Sequence, residues 1–226
     1  MESQRPLDRE LQPLLDAQIP VYWIAGNHDS DKELNLVNLL DSKLSFGNID
    51  GRVVTLPDGR RLAGLAGVFR ASVFDPSIAT PPNFKNRKQH AKATPRQDRW
   101  RDGVHIRHWT TIYPDDLDRV ADLRADIMVT HCASGYHNHG WSILDDLARS
   151  LGASVALHGH EHDNLDSSDR WLQQGFKSYG VGLRGLTSVD VDGNATVIVP
   201  GELDEQRNYR QHFIDLFKDA PPEEPS

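Results

Sequence analysis

The chain has 226 residues, a formal net charge of −8 and 38% hydrophobic residues, which is the composition of one globular domain. Its one cysteine excludes a disulfide framework, and with no signal-peptide pattern at the N-terminus this predicts a cytoplasmic protein. No apolar run approaches the roughly 18 residues of a membrane span, so we expect no membrane association. The acidic balance argues against a protein whose whole surface binds nucleic acid.

Hydrophobic periodicity predicts short helices alternating with short strands along most of the chain. In chain order the predictions are helix 6–17, strand 19–25, helix 31–40, strands 52–56 and 61–66, helix 114–123, strand 125–130, helix 141–151, strand 153–157, and strands 177–181, 186–191 and 195–199. Alternation in the middle of the chain favours an α/β domain. The predicted hairpin across 57–59 and an expected antiparallel run after residue 177 favour mixed sheets.

Two segments depart from this pattern. Residues 67–113 are irregular, and within them residues 83–108 hold eight Lys or Arg and two Asp, a net charge of +6. This stretch is either a solvated surface loop or a flap that attracts anions to an active site. Residues 201–226 are acidic, with an end that we expect to be disordered. The domain prediction is therefore residues 1–200, with an insertion at about 67–113, followed by the acidic segment.

Polar clusters follow directly on three predicted strands. They are Gly-Asn-His-Asp at 26–29, His-Cys at 131–132 and His-Gly-His-Glu-His-Asp at 158–163. Taken singly, the first could be only a turn, the second a core histidine and the third one face of an extended segment. Ligand sites of open α/β sheets gather at the carboxyl ends of strands, however, and imidazole is the commonest metal ligand. Three such placements together predict one metal-binding pocket.

The order of these clusters resembles the calcineurin-like metallophosphoesterase family, whose last three motifs read G-N-H-[DE], H and G-H-x-H. The resemblance covers residues 20–165. It implies a four-layer αββα sandwich with mixed sheets and two divalent metal ions, with Mn, Fe, Zn, Ni and Co all compatible. It also implies a hydrolase that cleaves phosphate mono- or diesters by attack of a metal-bound hydroxide.

Carried over residue by residue, the resemblance assigns ligands and catalytic groups. Asn27, His131 and His160 would bind one metal ion, and His162 would bind the other. The catalytic pair follows in the next two positions of the first cluster. His28 would act near the leaving group as a general acid or charge stabiliser, and Asp29 would orient His28 through a hydrogen bond.

Two upstream family motifs, D-x-H and G-D-x-x-D, do not occur in this sequence. We therefore expect that the first βαβ unit of the fold is missing, through a late start, a true truncation or supply by another chain. With it would go a bridging aspartate and two ligands of one metal ion. The remaining ligands suffice for one firmly bound ion, and the expected phosphatase activity of the chain is weak or absent.

Other interpretations remain open. The fold could serve as an inactive scaffold or binding module, which the absent motifs favour and the retained His28 and Asp29 oppose. The run at 158–163 faintly resembles metallo-β-lactamase-type hydrolases, but its order of His and Asp differs. His137 and His139 either line a substrate pocket or belong to an ordinary loop. A phosphate-ester substrate is expected, a nucleotide or nucleic acid is compatible but not favoured, and the sequence does not indicate the oligomeric state.

Overall fold

The computed structural model describes residues 6–207 of the chain. The helices are α1 (Pro6–Asp16), α2 (Glu33–Leu40), α3 (Arg87–Ala93), α4 (Pro114–Ala121), α5 (Ser142–Leu151) and α6 (Trp171–Gln174). The strands are β1 (Val53–Thr55), β2 (Arg61–Leu65), β3 (Ile127–Thr130), β4 (Val155–His158), β5 (Lys177–Gly180), β6 (Leu186–Val189) and β7 (Ala195–Val199). Short 3₁₀ helices cover Asn27–Ser30, Ser45–Gly47, Arg96–Asp98 and Ile106–Thr110.

A five-stranded mixed sheet in the order β1-β2-β3-β4-β5 organises the fold, which confirms the predicted α/β class. The pair β1 and β2 is the predicted antiparallel hairpin, and the other neighbours are parallel. Leu65 lies opposite Thr130, and Thr130 lies opposite His158, so β2, β3 and β4 end at one edge. The predicted antiparallel run is correct for β6 and β7, which form a separate sheet, but wrong for β5, which pairs parallel to β4.

The hydrophobic core lies between this sheet and the helices α4 and α5. Apolar residues on one side of each helix are buried against the strands, as their 3.6-residue spacing predicts. These residues are Leu117 and Val120 in α4, Leu144, Leu147, Ala148 and Leu151 in α5, and Ala63, Leu65, Met128 and Ala156 in the strands. Helix α5 ends at Gly152, whose φ of 76° is the left-handed conformation that favours glycine at this position. This core anchors β3 and β4, the two strands that lead into His131 and His160.

The predicted strand at 19–25 is wrong. The segment is extended, but it forms only one bridge, from Trp23 to Asn48. The two hydrogen bonds of this bridge run from Trp23 N to Gly47 O (2.9 Å) and from Ile49 N to Trp23 O (3.0 Å). A β-branched and aromatic run is compatible with a strand only where a partner offers a ladder, and a single bridge does not provide one.

The predicted insertion contains more regular structure than its sequence pattern indicated. Helix α3 lies within it, capped by Asn86, whose side chain accepts a hydrogen bond from Gln89 N (2.9 Å). Periodicity misses this helix because none of its residues is buried.

The end of the acidic segment lies outside the described residues, and the domain boundaries stay a prediction. Within residues 6–207, no helix is both long enough and apolar enough to cross a membrane.

Candidate metal centre

Three side chains predicted as ligands of one metal ion meet at a point beside the sheet. His131 follows β3 and His160 lies two residues beyond the end of β4, so parallel pairing brings them together. Asn27 Oδ1 lies 2.8 Å from His131 Nε2, and His160 Nδ1 lies 3.1 Å from the same nitrogen. One amide oxygen and two imidazole nitrogens thus face a common centre.

The His131 ring is held closely by its surroundings. A Cβ on Gly26 would lie 2.5 Å from His131 Cε1, so only glycine allows this approach. Burial is the main cause that lowers the pKa of His131 to about 4, with smaller contributions first from His160 and then from His162. The ring is therefore neutral near pH 7, which is the form that binds a metal ion.

The segment that carries the two later ligands has an unusual backbone. His160 has a φ of 59° and His162 a φ of 60°, both in the left-handed region that costs energy for residues other than glycine. Burial lowers the pKa of His160, and the charge of His162 contributes to that shift. His162 makes no hydrogen bond with the ring of His131 or His160 among those described.

The four predicted ligands divide unevenly between two metal ions. Asn27, His131 and His160 supply one oxygen and two nitrogens, a ligand chemistry that suits zinc and other transition metals. A second ion would have only His162 from this set and no carboxylate between the two cations. Across residues 6–207, no three His, Cys, Asp or Glu side chains form a group that could hold a metal ion.

The predicted catalytic pair is arranged differently from the prediction. His28 Nδ1 is 2.7 Å from Oδ2 of Asp31, not of Asp29, and the predicted hydrogen bond from Asp29 is wrong. Asp29 Oδ2 instead accepts from Gly26 N (2.7 Å), and burial raises the pKa of this carboxyl group. Residues 27–30 form one 3₁₀ turn, and this turn directs the Asp29 side chain back to the N-terminal end of the turn. The His28 side chain is 77% exposed and free to meet a ligand.

The basic insertion lies directly beside this turn. Ser30 is fully buried, and its Oγ lies 2.6 Å from Thr110 Oγ1 and donates to Arg107 O at 3.3 Å. The 3₁₀ helix Ile106–Thr110 therefore packs on the 3₁₀ helix Asn27–Ser30. Of the two interpretations of the insertion, this contact favours a segment that borders the site.

A cavity of about 530 Å³ opens next to His160. Its lining combines apolar, aromatic and polar residues, namely Val68, Phe69, Ser77, Cys132, Asn138, His139, Gly140, Trp141, His160 and Glu161. The rings of Phe69 and Trp141 pack at 4.9 Å between centroids. His139 thus belongs to a pocket wall. Burial raises the pKa of Cys132 to about 12, which favours a protonated thiol in this pocket wall.

A buried network below the site was not predicted. Tyr136 Oη is 2.6 Å from His158 Nε2, and His158 Nδ1 is 2.9 Å from Gly159 O. His137 Nε2 lies 3.3 Å from Asp163 Oδ2. These contacts fix both ends of the segment that carries His160 and His162. In the sequence, the only indication of this network was the presence of several histidines close together. That pattern does not distinguish supporting residues from metal ligands.

Comparison with known proteins identifies the family and the fold of the chain. A family model described as calcineurin-like phosphoesterase matches residues 3–164. An uncharacterized protein of Haemophilus influenzae is 33% identical over 174 residues, which are 77% of this chain and 74% of that protein. The crystal structure of TT1561 of Thermus thermophilus aligns with a TM-score of 0.51 at 13% identity, over 88% of this chain and 80% of that one. At this identity the structural match shows the fold alone.

Proposed function

The chain belongs to the calcineurin-like phosphoesterase family, and from this premise we propose that it is a metal-dependent hydrolase of phosphate mono- or diesters. The observation that carries the proposal is the convergence of Asn27, His131 and His160 beside an exposed His28. We assign the first three to one divalent cation, and His162 to a second cation that this chain would hold weakly or not at all.

The neutral imidazoles and the amide oxygen are suited to that cation. When bound, a divalent cation would supply positive charge to the phosphoryl oxygens and lower the pKa of water. His131 and His160 both have lowered pKa values, so metal binding near pH 7 displaces few protons from them. Gly26 fixes the ring of His131 by close contact, which holds the ligand in position before the ion arrives.

His28 is assigned to the leaving group. Its Nδ1 hydrogen-bonds to Asp31, which leaves Nε2 as the atom that can give a proton to the departing oxygen. The carboxylate of Asp31 also fixes the orientation of the ring. Asp29 is assigned a supporting role, because its Oδ2 accepts from the backbone at Gly26 and so shapes the turn. The cavity beside His160 has room for the organic part of an ester.

The alternative function is a binding module that keeps the fold without turnover. Two observations favour it: the upstream metal motifs do not occur in this sequence, and residues 6–207 contain no acidic and histidine cluster that could hold a metal ion. The exposed and paired His28 speaks against it, because a scaffold has no use for a positioned proton donor.

Metal content and turnover of p-nitrophenyl phosphate and its bis ester separate these functions. We expect about one equivalent of Mn or Zn and slow, metal-dependent hydrolysis. His131→Ala should remove the metal and activity together. His28→Ala should reduce kcat about 100-fold with unchanged metal content. Metal binding without turnover of either ester would favour the binding module.

Two neighbouring carboxylates provide a matched control for the role of His28. Asp31→Asn should lower kcat about tenfold with unchanged metal content, because it removes the carboxylate that orients His28. Asp29→Asn removes the same charge two residues away, but it leaves the contact between His28 and Asp31 intact. If Asp29→Asn lowered kcat and Asp31→Asn did not, the orienting carboxylate would be Asp29.

A further inference from the structure

Two arginines beside the candidate site have no carboxylate partner in the described part of the chain. Arg70 and Arg107 take part in none of the ion pairs among residues 6–207. Most other arginines among residues 6–207 pair with Asp or Glu or with backbone carbonyls. Guanidinium groups that stand close together without such partners attract an anion.

The position of Arg70 is fixed by the fold. It follows β2 by five residues, and its Nε donates to Thr111 Oγ1 (3.1 Å). Thr111 directly follows Thr110, the residue whose hydroxyl contacts Ser30. The side chain of Arg70 is partly buried, and its two terminal nitrogens make no hydrogen bond among those described. One edge of the guanidinium is thus anchored, and the other edge is available.

The surroundings of Arg70 connect it to both halves of the site. Burial lowers its pKa, and the next largest cause is the positive charge of Arg107. The negative charge of Asp31 raises the pKa of Arg70. The positive charge of Arg70 in turn contributes to the lowered pKa of His160. Arg107 O accepts from Ser30 Oγ at 3.3 Å and Arg70 donates to Thr111, so both arginines belong to the part of the insertion that contacts the turn carrying His28.

We propose that Arg70 and Arg107 form an anion site that holds phosphate oxygens of the substrate beside His28. The inference rests on the proposed function, and it adds the residues that bind the charged part of the ester. Arg70 would make a two-pronged contact through its free edge, and the exposed Arg107 would add a second charge from the insertion. The net positive charge of residues 83–108 thereby has a specific role at Arg107, instead of attracting anions along the whole stretch.

The test uses inorganic phosphate and the full chain without metal, at low ionic strength, with binding measured by calorimetry. Arg70→Gln should weaken phosphate binding at least tenfold, and Arg107→Gln should weaken it about threefold. Arg70→Lys should recover part of the loss, because it restores charge without the planar fork. Arg61→Gln is the control, since Arg61 is exposed at the opposite end of β2 and should stay within twofold of the parent chain.

The outcomes separate this inference from the proposed function. Equal phosphate binding by Arg70→Gln, Arg107→Gln and Arg61→Gln would overturn the anion site whether or not the protein hydrolyses esters. Arginine-dependent phosphate binding by a chain that turns over no ester would support the anion site and defeat the proposed function. Should Arg70→Gln fail to fold by circular dichroism, the exposed Arg107→Gln decides: a Kd equal to that of Arg61→Gln overturns the pair.

Discussion

The two sides of the candidate site are held in different ways. On the sheet side, His131 and His160 extend from β3 and β4, which pair with each other and pack on the core of α4 and α5. On the loop side, residues 27–31 follow an extended segment with one bridge and are fixed by individual hydrogen bonds. Damage to the sheet side should therefore appear as lost global stability, and damage to the loop side as lost geometry in a folded protein.

The largest expected effect is on the sheet side. Leu144 in α5 is fully buried in the core that supports β3 and β4. Leu144→Ala should lower the free energy of unfolding by about 2–5 kcal/mol, since it leaves a cavity. Val197→Ala, on the exposed face of β7, should cost less than about 1 kcal/mol. Urea denaturation measures both, and equal effects would refute the assignment of this core as the support of the site.

Gly26 is the point where the two sides touch. A Cβ there would lie 2.5 Å from the His131 ring, whereas a Cβ on Gly159 would lie 3.8 Å from Nδ1 of the same ring. Gly26→Ala should therefore weaken metal binding roughly 10- to 100-fold, and Gly159→Ala should change it little. Metal titration monitored by calorimetry distinguishes them. If Gly26→Ala bound metal with the affinity of the parent chain, metal binding would not depend on the present position of the His131 ring.

A smaller loss is expected when the loop side is loosened. Ser30→Ala removes the hydroxyl that joins Thr110 and leaves the Thr110 hydroxyl buried without that partner. The expected cost is about 1–2 kcal/mol in unfolding, with a larger fractional loss in kcat than in metal affinity. Ser188→Ala on exposed β6 is the control for loss of a hydroxyl. If metal affinity fell as much as kcat, the loop side would not be independent of the sheet side.

The smallest expected effect is a pH dependence from the insertion. Burial is the main cause that lowers the pKa of His108 to about 4, with smaller contributions first from His90 and then from Arg70. In the unfolded chain His108 binds a proton as pH falls below about 6.5, whereas in the folded chain it stays neutral down to about pH 4. The free energy of unfolding therefore falls as pH drops from about 6.5 to about 4. His108→Gln should flatten this fall by about 1 kcal/mol, because part of the ring remains solvated. Urea denaturation of the parent chain and of His108→Gln between about pH 6.5 and about pH 4 measures this difference, and parallel curves would contradict it.

The sheet side was predictable because its residues obey simple repeats. Strand-end placement of His131 and His160 follows from apolar runs, and the spacing of Leu144 and Leu151 marks the buried face of α5. The loop side was less predictable, since the choice of Asp31 over Asp29 as partner of His28 depends on a 3₁₀ turn. Periodicity carries no information about that turn.

The insertion escaped prediction for a related reason. Its order comes from particular side-chain contacts, not from an apolar stripe. Arg87 donates to the backbone oxygens of His108 and Trp109 at 3.3 and 3.0 Å, and its guanidinium lies over the rings of Trp109 and Tyr113. His90 stacks on Phe84 with ring centroids 4.2 Å apart. Such long-range pairs between cations, carbonyls and rings leave no repeating pattern in a single sequence.

The left-handed conformations of His160 and His162 set a trade-off between stability and activity. Each ring is retained at a backbone position where glycine or asparagine would fit with less strain. His162→Gly should therefore unfold in the presence of chelator at a temperature no lower than the parent chain, despite the loss of a ring from the site. Selection for stability alone would remove these histidines, so their retention in a lineage would record selection for the chemistry of this site.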